Sequence, residues 1–215
     1  MANIKGHIVM DYDKLRDYVF DMKRKSDLLC DQKDRIEKLL VGLQDDWNDT
    51  IFMETWNSVI RVSTGVKKIY FGMTESLKAV ADHYDKYITA YNEIRNRLIG
   101  RLPIREYSIG IRRMEKLKGA HVTISDLDEM ARFIRGMKAY IEDTAHTITD
   151  IERKHVDVGA YWKSIQYDQF AQILHEVKGS IFYELETLEQ LNHWVTKKYM
   201  YLRDNVVSDN VRRGL

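Results

Sequence analysis

Leu43-Gln-Asp-Asp-Trp47-Asn-Asp-Thr-Ile-Phe52 places a tryptophan between two helical patterns, and Tyr161-Trp162-Lys-Ser-Ile-Gln-Tyr167 does the same further along the chain. The two tryptophans are 115 residues apart (162 − 47). Sliding the sequence by that offset, with no gap, brings other positions into register. Asp11-Tyr-Asp13 falls on Asp126-Leu-Asp128, Met22-Lys23 on Met137-Lys138, and Ile36-Glu37 on Ile151-Glu152. Past the tryptophans, Phe52 meets Tyr167, Val62 meets Val177, Val66 meets Ile181 and Tyr70 meets Leu185. Met73 then meets Leu188, Val80 meets Val195 and Tyr84 meets Tyr199. One helical unit is used twice, and function has to be read on that basis.

Working outward from Trp47, the preceding apolar positions are Leu15, Tyr18, Val19, Met22, Leu29, Ile36, Leu39, Leu40 and Leu43. Spacings of three, four and seven mark one face of a helix that starts near Asp11. Asp45 to Asp49 reads as a turn whose Asp and Asn side chains bond local backbone and cap the next helix. The second pattern runs from Phe52 through Trp56, Val66, Met73, Tyr84 and Tyr91 to Leu98. Gly65 and Gly72 inside it predict a bend or a close helix contact. A capping-box-like Thr123-Ile-Ser125-Asp-Leu-Asp128 is expected to start a third helix, which continues through Met130, Met137 and Ile151. A fourth is expected from Ile165 through Phe170, Ile181 and Val195 to Leu202 and beyond.

The division is a first hairpin repeat at 1–99, a basic Gly/Pro-containing spacer at 100–122, and a second hairpin repeat at 123–215. A lone hairpin keeps one apolar face unburied. The expected fold is therefore all-α: two long antiparallel helical hairpins packed as an elongated four-helix bundle. In the spacer, Ile111 to Leu117 is a candidate short helix. The spacer otherwise reads as a solvated connection carrying Arg95, Arg97, Arg101, Arg105, Arg112, Arg113, Lys116 and Lys118, with an electrostatic patch as the alternative.

Composition narrows the function classes. Hydrophobic residues make up 44% and charged residues 31%, which suits a folded chain rather than a disordered one. Proline occurs once, at Pro103, as long helices require. Basic and acidic residues balance, 34 against 33, so net charge suggests neither nucleic acid nor an anionic membrane as partner. The single cysteine, Cys30, reads as a core or boundary residue and allows no intramolecular disulfide. No apolar run approaches the roughly 18 residues of a membrane span. The first residues lack the basic region and apolar core of a secretory signal, so a cytoplasmic location, or export without a cleaved signal peptide, is expected.

Catalytic signatures are sparse. Glu152-x-x-His155 has the spacing used in di-iron bundles, but its first-repeat equivalents are Glu37 and Leu40. Asp143-x-x-His146 lies on the same helix. No phosphate-binding glycine loop and no nucleophile elbow occur. Neither enzyme activity nor any cofactor or metal is expected. The residues singled out for turn packing or partner contact are Trp47, Trp56, Trp162 and Phe170. The helically spaced Tyr84, Tyr87 and Tyr91 join them as core or interface tyrosines.

Helix, Trp-bearing turn and helix, with Phe52 and Trp56 after Trp47, and Tyr167 and Phe170 after Trp162, resembles the WXG family. These are the bacterial ESAT-type hairpin proteins of type VII (ESX) secretion. The family's glycine is replaced by Asp49 and Ser164. Its export signal, Tyr-x-x-x-Asp/Glu, is not formed at Tyr91, where Arg95 follows, or at Tyr199, where Arg203 follows. WXG-like proteins pair hairpin on hairpin, so the resemblance implies such a pair fused in one chain. It further implies a non-enzymatic interaction module acting as secreted substrate, targeting partner or chaperone, its partner another helical protein or itself. The alternatives are a structural helical adaptor of a phage or cell envelope and a metal-binding four-helix bundle.

Overall fold

The two tryptophan turns start their helices in the same way. Asp49 Oδ1 accepts the Phe52 N–H at 2.8 Å, and Ser164 Oγ accepts the Tyr167 N–H at 3.1 Å. The carbonyls of the same two residues accept the first helical bonds, from Met53 at 3.0 Å and Asp168 at 3.1 Å. The residues standing where the WXG pattern has glycine are thus N-caps, and each satisfies donors that a helix start otherwise leaves orphaned.

The structure, a computed structural model, describes residues 12–90, 98, 102–116, 121–122 and 127–212. It contains helices α1 (Tyr12–Leu43), α2 (Thr50–Ala90), α3 (Leu127–Val158) and α4 (Ile165–Arg212). Two-residue strands β1 (Trp47–Asn48) and β2 (His121–Val122) pair antiparallel, Trp47 opposite Val122. The four helices pack as a bundle, with α1 against α3 and α2 against α4. The sequence pattern extends the second helix to Leu98. The described helix ends at Ala90, and Leu98 is not helical: its N–H is taken by the Asp85 side chain at 2.5 Å. The expected cap at Thr123 to Ser125 lies outside the described residues, as does Tyr91.

The chain forms two compact units. One comprises Met1–Cys30, Lys67–Tyr107 and Thr147–Lys178; the other comprises Asp31–Val66, Ser108–His146 and Gly179–Leu215. Both repeats contribute to each unit.

In the first unit, Asp21 pairs with Lys154 at 2.7 Å and Lys25 pairs with Asp150. Four residues forward on α1 is four residues back on α3, so these helices run antiparallel. The Lys25 and Asp150 side chains are almost wholly buried. Removing one partner of such a pair leaves an uncompensated charge, at a cost of about 3–5 kcal/mol. Gly72 on α2 lets α4 approach: a Cβ there would lie 2.8 Å from both Phe170 Cδ2 and Ile173 Cδ1. Of the two glycines expected to mark a bend or close contact, Gly72 marks a close contact.

In the second unit, a Cβ on Gly136 of α3 would collide with the Leu39 side chain of α1. Arg61 of α2 bonds Glu184 of α4 at 2.8 Å.

Repeat-related positions are buried in both copies: Met22 and Met137, Ile36 and Ile151, Val66 and Ile181, Met73 and Leu188, Val80 and Val195. The offset that aligns the sequence therefore aligns the core.

Residues 102–116 correct the expectation of a short helix at 111–117: the stretch is largely exposed, but its backbone is held by the helices. The described stretch to residue 116 is not helical. In the first unit, Tyr107 is buried with its ring 5.4 Å from that of Tyr70, whose hydroxyl donates to the Arg105 carbonyl. In the second, the Gly110 N–H donates to the Glu37 carboxylate at 3.1 Å, and Trp56 Nε1–H donates to the Arg112 carbonyl at 2.8 Å. Asn57 grips Met114 twice at 3.0 Å, accepting its N–H and donating to its carbonyl. Side chains of α1 and α2 have taken the backbone groups that a helix would have paired internally.

Since each unit draws on both repeats, residues 1–99 and 120–215 produced separately are expected to have little helical structure. Mixing them should restore it, as followed by far-ultraviolet circular dichroism. Two halves that are fully helical alone and do not associate would contradict this architecture.

Candidate functional site

The residues singled out from the sequence fall in three places. At the first turn, Trp47 is buried. Its ring is tilted against Phe52 at 5.2 Å and meets Phe133 of α3 edge-on at 5.7 Å. Trp56, also buried, lies 5.8 Å from Phe52 and is tied to Arg112 by the bond described above. Phe133 also lines an open cavity of about 500 Å³ together with Leu39, Leu43, Arg35, Lys38, Glu129 and Arg132, the last two paired with each other at 3.4 Å.

At the second turn, Trp162 is buried and its N–H donates to the Val158 carbonyl at 2.9 Å. Phe170, wholly buried, presents its edge to His155 at 4.7 Å, and Tyr167 stacks on the same imidazole at 4.0 Å. Among the described residues, neither nitrogen of His155 meets a partner within hydrogen-bond geometry. Burial holds its pKa down to about 4, so the imidazole is neutral at pH 7. Glu152, the other half of the candidate metal motif, pairs with Lys178 of α4 at 2.5 Å. Among the described residues, no group of three or more His, Cys, Asp or Glu converges on a common point.

The third place is the start of α1. Tyr12 stacks on Tyr87 at 3.5 Å, lies 6.1 Å from His83, and lies 6.4 Å from the buried Tyr84. Tyr87 is half-buried. Of the spacer cations, Arg105, Arg112, Arg113 and Lys116 have exposed side chains.

Sequence reasoning missed one surface. Tyr183, Trp194 and Tyr201 of α4 are 69%, 43% and 63% exposed. At about 100° per residue they share one stripe, within about 20° of each other. The buried Ile181, Leu188 and Val195 lie on the opposite side of the helix. The spacings of 11 and 7 between the three aromatics were a usable signal. The core pattern of α4 concealed it, because both stripes are helical and hydrophobicity alone does not say which faces inward.

Among the described residues, no helix is long and apolar enough to cross a membrane. No family model matches the chain, and no curated protein or solved structure matches it.

Asp49→Ala and Ser164→Ala should each lower stability by about 1 kcal/mol, read from urea unfolding, since each loses an N-cap. A loss confined to one site would mean that the two turns are not energetically equivalent. His155 predicts an acid-sensitive fold. Above pH 6.5 both folded and unfolded forms are neutral. Between pH 6.5 and about 4 only the unfolded form binds the proton, so stability falls as pH drops through that window. The full loss is on the order of 3 kcal/mol. His155→Phe should flatten this part of the pH profile of the melting temperature; identical profiles for variant and wild type would remove His155 as the cause.

Proposed function

We propose that the chain is a non-enzymatic interaction module, a fused pair of WXG-like hairpins. It serves a type VII-like secretion system as exported substrate, targeting partner or chaperone. The observation that carries this reading is the repeated turn: a buried tryptophan, an N-cap two residues on, and an aromatic three further, each helix begun alike. Fusion makes the pairing of hairpins intramolecular, so the paired state does not depend on protein concentration as a two-chain pair does. The acid and base groups that a metal site would need are engaged elsewhere, Glu152 with Lys178 and His155 among aromatic rings. That favours interaction over catalysis. The cavity beside Trp47 and the α4 aromatic stripe offer surfaces suited to a helical partner.

A structural adaptor is the second reading, favoured by the exposed α4 stripe, which would equally serve repeated self-assembly. Rings or filaments of purified protein in electron micrographs would select it.

The secretion reading predicts that immunoblots of native-host culture medium detect the protein in the wild type and not after deletion of the type VII secretion ATPase. Retention in the lysate of both strains, with no secretion component co-purifying, would sink it.

A further inference from the structure

We infer that the exposed face of α4 pairs with the same face of a second copy, in an antiparallel two-fold arrangement whose axis passes at the helical height of Asn192, a residue that itself faces α3. The face combines the aromatic stripe with a self-complementary charge pattern. About a two-fold axis at this point, Tyr183 meets Tyr201 of the partner subunit, and Trp194 lies against Gln190 of the partner subunit. Antiparallel helices related in this way bring residues on the same flank together. Glu186 and Lys197 lie on one flank of the stripe, within about 60° of its centre, and sit almost symmetrically about Asn192. Glu186 therefore faces Lys197 of the partner subunit, and the pairing occurs twice. Both side chains are exposed, and neither has an ion-pair partner among the described residues of its own chain. A parallel two-fold arrangement would instead carry each flank to the opposite side of the interface, leaving Glu186 and Lys197 without each other as partners.

The surface is large enough to matter. The stripe runs over roughly 27 Å of helix at the standard rise. Its three aromatics expose on the order of 400 Å² per chain, hence about 800 Å² for two copies before flanking side chains are counted. Specific interfaces begin near about 1,200 Å² in total, which the flanking Gln190, His193, Lys198 and Met200 bring within reach. Tyr and Trp are the side chains that interfaces enrich.

This deepens the interaction-module reading by naming a partner, and its test needs no secretion component. Sedimentation equilibrium of the full chain should give a mass twice the 25.5 kDa of one chain at micromolar concentration. Trp194→Ala with Tyr201→Ala should weaken the dimer about tenfold or more, with unchanged circular dichroism because both sites are exposed. Glu186→Lys alone should weaken the dimer, and Glu186→Lys combined with Lys197→Glu should restore it. A monomer at every concentration, or a dimer indifferent to the aromatic substitutions, overturns the inference. Failure of the double charge reversal to restore what the single one lost overturns the antiparallel register. A monomeric result would leave the export experiment to decide the secretion reading independently.

Discussion

Everything in this chain depends on the unburied apolar face that each helical hairpin would keep if it stood alone. α1 and α2 each carry a continuous apolar stripe, and a hairpin of two helices encloses only part of it. The second repeat supplies the matching surface, through α3 against α1 and α4 against α2. Glycines at positions 72 and 136 let these cross-repeat neighbours approach where a side chain would intervene. The result is a core in which repeat-related residues are buried alike, from Met22 and Met137 to Val80 and Val195.

Polar groups then select among the ways two such hairpins could meet. An apolar stripe tolerates sliding by a helical turn, whereas a buried ion pair does not. Lys25 with Asp150 and Asp21 with Lys154 each tie α1 to α3 at one register, and Arg61 with Glu184 ties α2 to α4. Glu37 and Glu152 show how the two repeats have diverged around a common frame. They are equivalent by the repeat offset, yet Glu37 accepts the Gly110 N–H while Glu152 pairs with Lys178. The first repeat thereby holds the strap between the hairpins, and the second uses the same position to join α3 to α4.

The functional reading rests on the division of labour between inside and outside. Trp47, Trp56, Trp162 and Phe170 are enclosed and hold the turns together. Tyr183, Trp194 and Tyr201 are the aromatics left facing solvent on a helix whose opposite side is already satisfied. With the turn aromatics committed to packing, the α4 face offers exposed aromatic surface for the proposed interaction.

Sequence by itself determined the helices, their repeat and the identity of most core positions. Helical periodicity is local, and the offset between Trp47 and Trp162 carried the same assignments into the second half. It also showed Asp49 as a turn and capping residue, since an N-cap acts within three residues of itself. Tertiary structure alone decided the rest. Whether a stretch such as 102–116 forms a helix depends on whether distant side chains claim its backbone, and Glu37, Trp56 and Asn57 do so. The pairing of Trp47 with Val122 is too short to leave a pattern in sequence. His155 has the spacing of a metal ligand, and only the rings of Tyr167 and Phe170 closing over it make it a buried neutral imidazole. The spacing of Tyr183, Trp194 and Tyr201 was legible, but not their exposure, because a helix with two apolar stripes can bury either, and the choice lies with the neighbours that pack against it.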